Sequence, residues 1–508
     1  MWGKICIFAL RLQMKEMMKN KTIFKAMMRR MAVCMAVVAL VACSDGLVAD
    51  YELTVPKDAG LVVAVDLEDV VEGSGFTDSA FGKGIIAAAV NSLGGDGQTG
   101  LKAVINDPSL TGIDFDAPAY VFRRSNVTGL AMKVDDESLT EAFISDGTNS
   151  GLFSKVEKHD GLSWTTLLDD ICVVWSDNTL LAVNSEGSSR QALEKLALSY
   201  MKQDEKDAFV STDKYKKMTG FDDDEDIMIY ADASLMPELM AELTKELGLP
   251  AAGSTGLELV AAADIDDGEI EINARLSSND KKIQASLDEY QHAMKPISGT
   301  YADMIPGGCR MWMCIGMDGE KMLKLLKRMP AVKQFLIGAN MGVDADKMIR
   351  TIDGDMLMMT DDRVSHDSLG TDYLRMYAQL KNTDFMADVD YWMKSAKGYG
   401  ISLTRIGNNE YRLSPDSETD LYWAVKSNEL YFGSCAYAPL HPNAGTNLPK
   451  DYFKGKTIAG RVNLTGVELT GLKPVFRYAD VSVDTSGCAT IRIRMANIDS
   501  ILDNLLMR

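Results

Sequence analysis

Apolar and polar positions along the chain fall into short alternating runs and longer helical patterns. Leu61–Leu67 (LVVAVDL) is a β-branched apolar run after Pro56, which predicts a buried strand. LAMKV at 130–134 predicts another, and Asp136 stands where it can cap a helix ESLTEAF. FSKVEKHDGLSWTTL predicts a hairpin turning at Asp160-Gly161, and CVVWSDNTLLAVN at 172–184 a second one around Asn178. Helical patterns occupy SAFGKGIIAAAVNSL, despite two glycines, and SSRQALEKLALSYM. Further on come the helix DFMADVDYWMKSAK, the hairpin ISLTRIGNNEYRLS, the strand ATIRIRM and a last helix MANIDSILDNLLM. Hairpins with helices between them predict an α+β fold with largely antiparallel sheets.

The pattern repeats. VPKDAGLVVAVDL opens at residue 55 and IPGGCRMWMCIGM at 305, an offset of 250. The hairpin at 172–184 matches YWAVKSNELYFGS at 422–434 at the same offset, with Asn178 over Asn428 and Leu180 over Leu430. Two looser matches follow in the same order: DIMIYADASL with KTIAGRVNLTG, and GEIEINARL with GCATIRIRM. Two related halves are expected, 53–295 and 296–508, the second a duplicate of the first. The stretch HAMKPISGTYADM, with Pro296 and Gly299, reads as the linker between them.

The first residues follow a different logic. Lys19, Lys21, Lys25, Arg29 and Arg30 precede the apolar run Met31–Ala42, which is too short for a spanning helix but suits a signal-peptide core. It ends in Leu40-Val41-Ala42-Cys43, which resembles the lipobox of bacterial lipoproteins. The expected organisation is a signal peptide at 1–42, with Met18 as the working start, and a lipid-anchored tether at 43–52 beginning at acylated Cys43. Ser44, rather than Asp, next to that cysteine points to the outer membrane, on its periplasmic or its outer face.

Charge narrows the functional classes. The chain carries 53 Lys/Arg against 73 Asp/Glu, and removing residues 1–42 leaves 45 against 72. Such a surface repels phosphate backbones, so no nucleic-acid partner is expected. The cysteines beyond residue 43 are Cys172, Cys309, Cys314, Cys435 and Cys488. Five scattered thiols do not form a disulfide framework and read as small buried hydrophobes, with Cys309 and Cys314 on opposite faces of a strand.

No catalytic constellation assembles. His159, His292, His366 and His441 each stand alone, without metal-ligand spacing. Ser211–Lys214 and Ser278–Lys281 match Ser-x-x-Lys, but no Lys-Thr-Gly element accompanies them. Gly82-Lys83-Gly84 lacks phosphate-loop spacing. The acids at 222–226, and Asp264, Asp266 and Asp267 with Gly268, read as solvated loop and turn residues. Trp312, Trp423 and the run Met356–Met359 fit core strands. No metal, cofactor or catalytic residue is expected.

With Cys43, the segment VPKDAGLVVAVDLEDVVEGSGF at 55–76 and hairpins such as KSNELYFGS at 426–434, the chain resembles an uncharacterised domain-of-unknown-function family of Bacteroidetes lipoproteins. The resemblance implies location and fold and brings no site residues. The leading expectation is a non-catalytic binding or scaffold module of the cell envelope, attached to the membrane through Cys43, with an envelope protein or glycan as partner. The alternatives are an envelope hydrolase acting on glycan or peptide, and a periplasmic carrier of an apolar ligand.

Overall fold

A computed structural model describes residues 50–67, 108–168, 170–221, 225–232, 256–266, 268–307, 309–360, 374–398, 400–414, 420–441, 448, 451–465 and 476–495. The expected helix at 79–93 lies outside them, as does all of the expected helix at 495–507 beyond Met495, which ends a strand. The fold is mixed α+β, with mostly antiparallel strands. The chain divides into two compact units, and among the described residues it passes between them at Leu257/Glu258 and at Ala274/Arg275 as well as at its last strand.

The first unit contains β1 (Leu61–Val65), β2 (Ile113–Asp114), β3 (Ala119–Arg124), β4 (Val127–Val134), β5 (Glu157–His159), β6 (Leu162–Leu167), β7 (Ile171–Trp175), β8 (Thr179–Ser185), β9 (Ile227–Asp232) and β10 (Leu257–Asp266). Its strands pair antiparallel in the order β10-β9-β1-β3-β4-β8-β7-β6-β5. A buried row crosses the sheet through Ala64, Tyr120, Ala131, Leu181 and Val174. Strict alternation along β8 turns Leu181 and Val183 inward. The β5–β6 turn uses Asp160 at φ 54° and Gly161 at φ 76°, both left-handed as an Asp-Gly hairpin requires.

Among the described residues, three α-helices accompany this sheet. In α1 (Glu137–Asn149) the Asp136 carboxylate accepts the amides of Ser138 and Leu139, and Ser189 caps α2 (Arg190–Met201). Leu193, Ala197 and Tyr200, spaced along one face of α2, pack with Val174, Leu181 and Phe122. Burying Leu193 alone contributes about 2 kcal/mol. The third helix is α3 (Asp213–Thr219).

β11 (Glu269–Ser278) carries one of the passages between units. The second unit continues with α4 (Lys281–Ala293), β12 (Met311–Asp318), α5 (Gly319–Leu326), α6 (Pro330–Gly342), α7 (Ala345–Arg350), β13 (Ile352–Thr360), β14 (Leu374–Leu380), α8 (Val389–Gly398), β15 (Ser402–Gly407), β16 (Glu410–Ser414), β17 (Leu421–Lys426), β18 (Glu429–Gly433), β19 (Lys456–Asn463), β20 (Phe476–Asp484) and β21 (Ala489–Met495). The strand order is β20-β19-β12-β13-β14-β18-β17-β16-β15. Its buried row runs through Cys314, Leu357, Tyr377, Tyr431 and Ala424. Trp392 of α8 packs with Phe385, Trp423 and Tyr411, and the last two stack with centroids 4.2 Å apart.

Three expectations change. The segment anticipated as a linker is packed: Ile297, Tyr301 and Ile305 are buried with Trp312 and Leu357. The tether does not extend through 52, because Tyr51 and Glu52 are buried and Tyr51 joins the first unit's core. Cys309 and Cys314 do not face opposite sides of one strand. Cys309 sits in the turn before β12, and both pack against the same core.

Candidate functional site

A buried polar cluster of the second unit gathers where β13 loses register with β14, between Ile352 and Met356. Gly354 takes φ +124° there, and a Cβ on it would lie 2.4 Å from Gln379 Oε1. The irregularity turns the next residue, Asp355, fully inward. Its Oδ1 accepts the Ser298 amide at 2.8 Å, while Oδ2 accepts the Ser298 hydroxyl at 2.8 Å and the Thr300 amide at 3.0 Å. The Asp355 amide donates to Gln379 Oε1 at 2.7 Å, and Gln379 Nε2 donates to Thr300 Oγ1 at 2.9 Å. Asp355 thus clamps the segment leading into β12 onto the sheet.

Gln379 stands opposite Glu429 in the β14–β18 pairing. Burial pushes the Glu429 carboxyl above the ordinary range, and Tyr301 works against that rise. Tyr301 is 1% exposed, and its hydroxyl lies beside Glu429 without closing a hydrogen bond among the described residues. Neighbouring tyrosines are satisfied: Tyr377 donates to Ala438 O and Tyr431 to Cys435 O, each at 2.7 Å. Their rings are 5.2 Å apart.

The first unit handles its buried acids differently. Glu258, 3% exposed, accepts Lys217 Nζ at 2.5 Å and the Tyr230 hydroxyl at 3.0 Å. Glu52 accepts the Tyr120 hydroxyl at 2.5 Å. Tyr51, which stands 250 positions before Tyr301, donates to Pro118 O at 2.9 Å.

The residues singled out from sequence do not converge. His159, His292 and His441 are exposed, and His366 lies outside the described residues, as do Cys43 and Gly82-Lys83-Gly84. The Ser211 hydroxyl donates to Ala208 O at 2.8 Å, and Lys214 reaches Ala59 O and the Tyr230 ring. The Ser278 hydroxyl donates to Gly256 O at 2.7 Å. Both serines are spent on backbone carbonyls. Among the acids, Asp226 is a correction: it is 5% exposed and accepts the Ile265 amide at 2.7 Å, joining β9 to β10 rather than meeting solvent. Gly268, at φ +82°, turns the chain between β10 and β11. Trp312, Trp423, Met358 and Met359 are buried core. Cys172 and Cys314 are buried free thiols, with Cys309, Cys435 and Cys488 half-buried.

Glu429, Tyr301 and Asp355 escaped the sequence reading. Gly354-Asp355 inside an apolar strand was their available signal, since a glycine within a strand marks a bulge. Glu429 follows a hairpin turn and carries no pattern of its own.

Residues 51–438 match the family described as Domain of unknown function (DUF4836). The chain belongs to that family. No curated protein matches this DUF4836 member. Among solved structures, crystal form I of TP0453 aligns at 11% identity over 48% of this chain and 85% of its own, with a TM-score of 0.28. Crystal form III aligns at 11% identity over 49% and 87%, also at 0.28. Likeness at that level carries no argument about this chain. Among the described residues, no DUF4836 helix is long and apolar enough to cross a membrane.

Proposed function

We propose that this protein is a lipid-anchored component of a bacterial envelope, from the Bacteroidetes, held at the outer membrane through Cys43. The observation that carries the reading is the basic stretch, the short apolar run and the terminal Leu40-Val41-Ala42-Cys43 in that order. The body is a non-catalytic binding or scaffold module. The polar chemistry described above supports this, because Asp355, Ser211 and Ser278 are each spent on backbone or neighbouring groups. A glycan hydrolase would pair two facing carboxyls. Glu429, the acid raised by burial, faces Tyr301 instead.

The body is further read as two copies of one unit. Among the described residues, each has a nine-strand order with the same sequence of connections, and β1 and β12, β7 and β17, and β8 and β18 all start 250 residues apart. The buried rows keep this offset at Ala64 and Cys314, Leu181 and Tyr431, and Val174 and Ala424. The Asn178 carbonyl accepts the Val134 amide, as the Asn428 carbonyl accepts that of Leu380.

Protease shaving of intact cells, comparing wild type with Cys43→Ala, tests the anchoring. Wild type should sediment with membranes and the variant should not. Equal membrane retention of both would overturn the reading. Cleavage of wild type on whole cells assigns the outer face, and protection until the envelope is broken assigns the periplasmic one.

A further inference from the structure

Residues 50–54 are riveted to the first unit. They form a short 3-10 helix in which Tyr51 is buried in the core of the sheet. The Tyr51 hydroxyl donates to Pro118 O at 2.9 Å, the Glu52 carboxylate accepts the Tyr120 hydroxyl, and Gln203 Nε2 donates to Leu53 O. Asp50 is the outer end of this segment: it is exposed and accepts Asn178 Nδ2 at 2.9 Å. Asn178 lies in the turn between β7 and β8. Asp50 therefore stands at one end of the sheet, the end where Val65 pairs with Ala119 and Lys133 with Thr179. Asp50 follows Cys43 by seven residues. That length of chain reaches at most about 25 Å in any arrangement.

We infer that the anchored protein keeps the β7–β8 end of its first unit toward the bilayer and leaves the opposite end, with the β3–β4 turn at Ser125-Asn126, as the surface for a partner beyond the membrane. The inference rests on the anchored reading for its biological setting. β8 (Thr179–Ser185) runs from one end to the other and is about 20 Å long. Inverting the sheet would lift Asp50 by that height above the lipid, which demands an almost fully extended tether and costs its conformational freedom. Charge then sets the standoff. Asp50, Asp135 and Asp177 are exposed at the membrane-facing end, with Asp116 and Asp136 half-buried. The lysines there are offset by acids of their own: Lys133 stands 2.6 Å from Asp114, and Lys202 stands 3.5 Å from Asp160 in the β5–β6 turn. This end is net negative, so anionic headgroups repel it over about one Debye length, about 10 Å at 0.1 M salt. That gap lies well within the reach of the tether, so the unit hovers close to the lipid without lying on it.

The test uses residues 43–508, which keep every described residue. The 1,2-aminothiol of an N-terminal Cys43 is ligated to a thioester lipid in phosphatidylcholine vesicles, a reaction that internal cysteines do not complete. A donor dye is carried by an azido residue in place of Asp177 or of Glu186, both exposed and at opposite ends of β8, and rhodamine headgroups are the acceptor. Energy transfer from position 177 should exceed that from 186 roughly twofold or more, since about 20 Å of strand separates them. Inserting about twenty Gly and Ser residues after Ser44 should erase the difference, because the longer tether lets the unit turn over. Adding phosphatidylglycerol should lower transfer from 177, and about 0.5 M salt should restore it. Equal or reversed transfer from the two positions overturns the inference. So does a difference that the insertion leaves intact, or transfer from 177 that phosphatidylglycerol does not lower. The ligation is chemical, so whether cells acylate Cys43 is decided separately by the Cys43→Ala fractionation, and the two readings fall independently.

Discussion

Replacing Asp355 by Asn isolates the clamp on the second unit. The native carboxylate receives three donors, two of them backbone amides, and is fully buried, so solvent does not screen the loss. The asparagine oxygen can take over one side of this arrangement. Its amide nitrogen then points a donor at either Ser298 N–H or Thr300 N–H. One buried backbone donor is orphaned at a cost of about 1–3 kcal/mol, and the remaining bonds lose their charge assistance. The neutral amide is cheaper to bury than the carboxylate, which returns part of the loss. A net destabilisation of about 3 kcal/mol is expected, a large share of the roughly 5–15 kcal/mol typical of a folded domain. Guanidinium denaturation followed by tryptophan fluorescence measures it, because Trp312, Trp392 and Trp423 are buried in the same unit. Ser298→Ala, which removes only the hydroxyl, should cost about 1 kcal/mol. A loss below about 1 kcal/mol for Asp355→Asn, or equal losses for both variants, would refute the clamp.

Gly354→Ala should destabilise the same unit, because φ +124° is closed to most side chains and the added Cβ would meet Gln379 Oε1; thermal unfolding should show a clear drop. Asp280→Ala removes acceptors for the amides of Lys282 and Ile283 at the start of α4 and should cost about 1 kcal/mol by denaturant titration. Glu429 sets a pH dependence. Its carboxyl is raised in the folded state, so the native protein holds the proton more tightly than the unfolded chain. That contribution stabilises below the ordinary glutamate range, near pH 4, and is lost as pH rises through the folded value. Glu429→Gln should flatten this slope and leave the protein at least as stable at pH 7; a steeper fall with pH than wild type would contradict the assignment.

Much of the fold was legible because local chemistry and tertiary packing agree. Asp160-Gly161 and the Asn178 hairpin turn where their residues favour it, and Asp136 and Ser189 cap the helices they precede. The segment around Pro296 and Gly299 misled because turn residues mark a change of direction, while the apolar Ile297, Tyr301 and Ile305 between them decide burial. Asp226 misled for the opposite reason: an acidic run reads as solvated, yet one member serves as a backbone acceptor between strands. The polar cluster was hidden because Asp355, Gln379, Glu429 and Ser298 come from four distant places and meet only through strand pairing.

The position of β1 in the middle of its sheet has a consequence for biogenesis. Leu61 pairs with Arg123 on one side and with Ala231 on the other, partners 62 and 170 residues downstream. A chain emerging N-terminus first presents β1 with one open edge until β9 arrives, and β12 waits in the same way for β19. Long-range pairing of this kind folds slowly and leaves unpaired strand edges open to misassociation. Each unit can therefore complete its sheet only after nearly all of its own sequence has been delivered, and until then an interior strand edge stands open to pairing with the wrong chain.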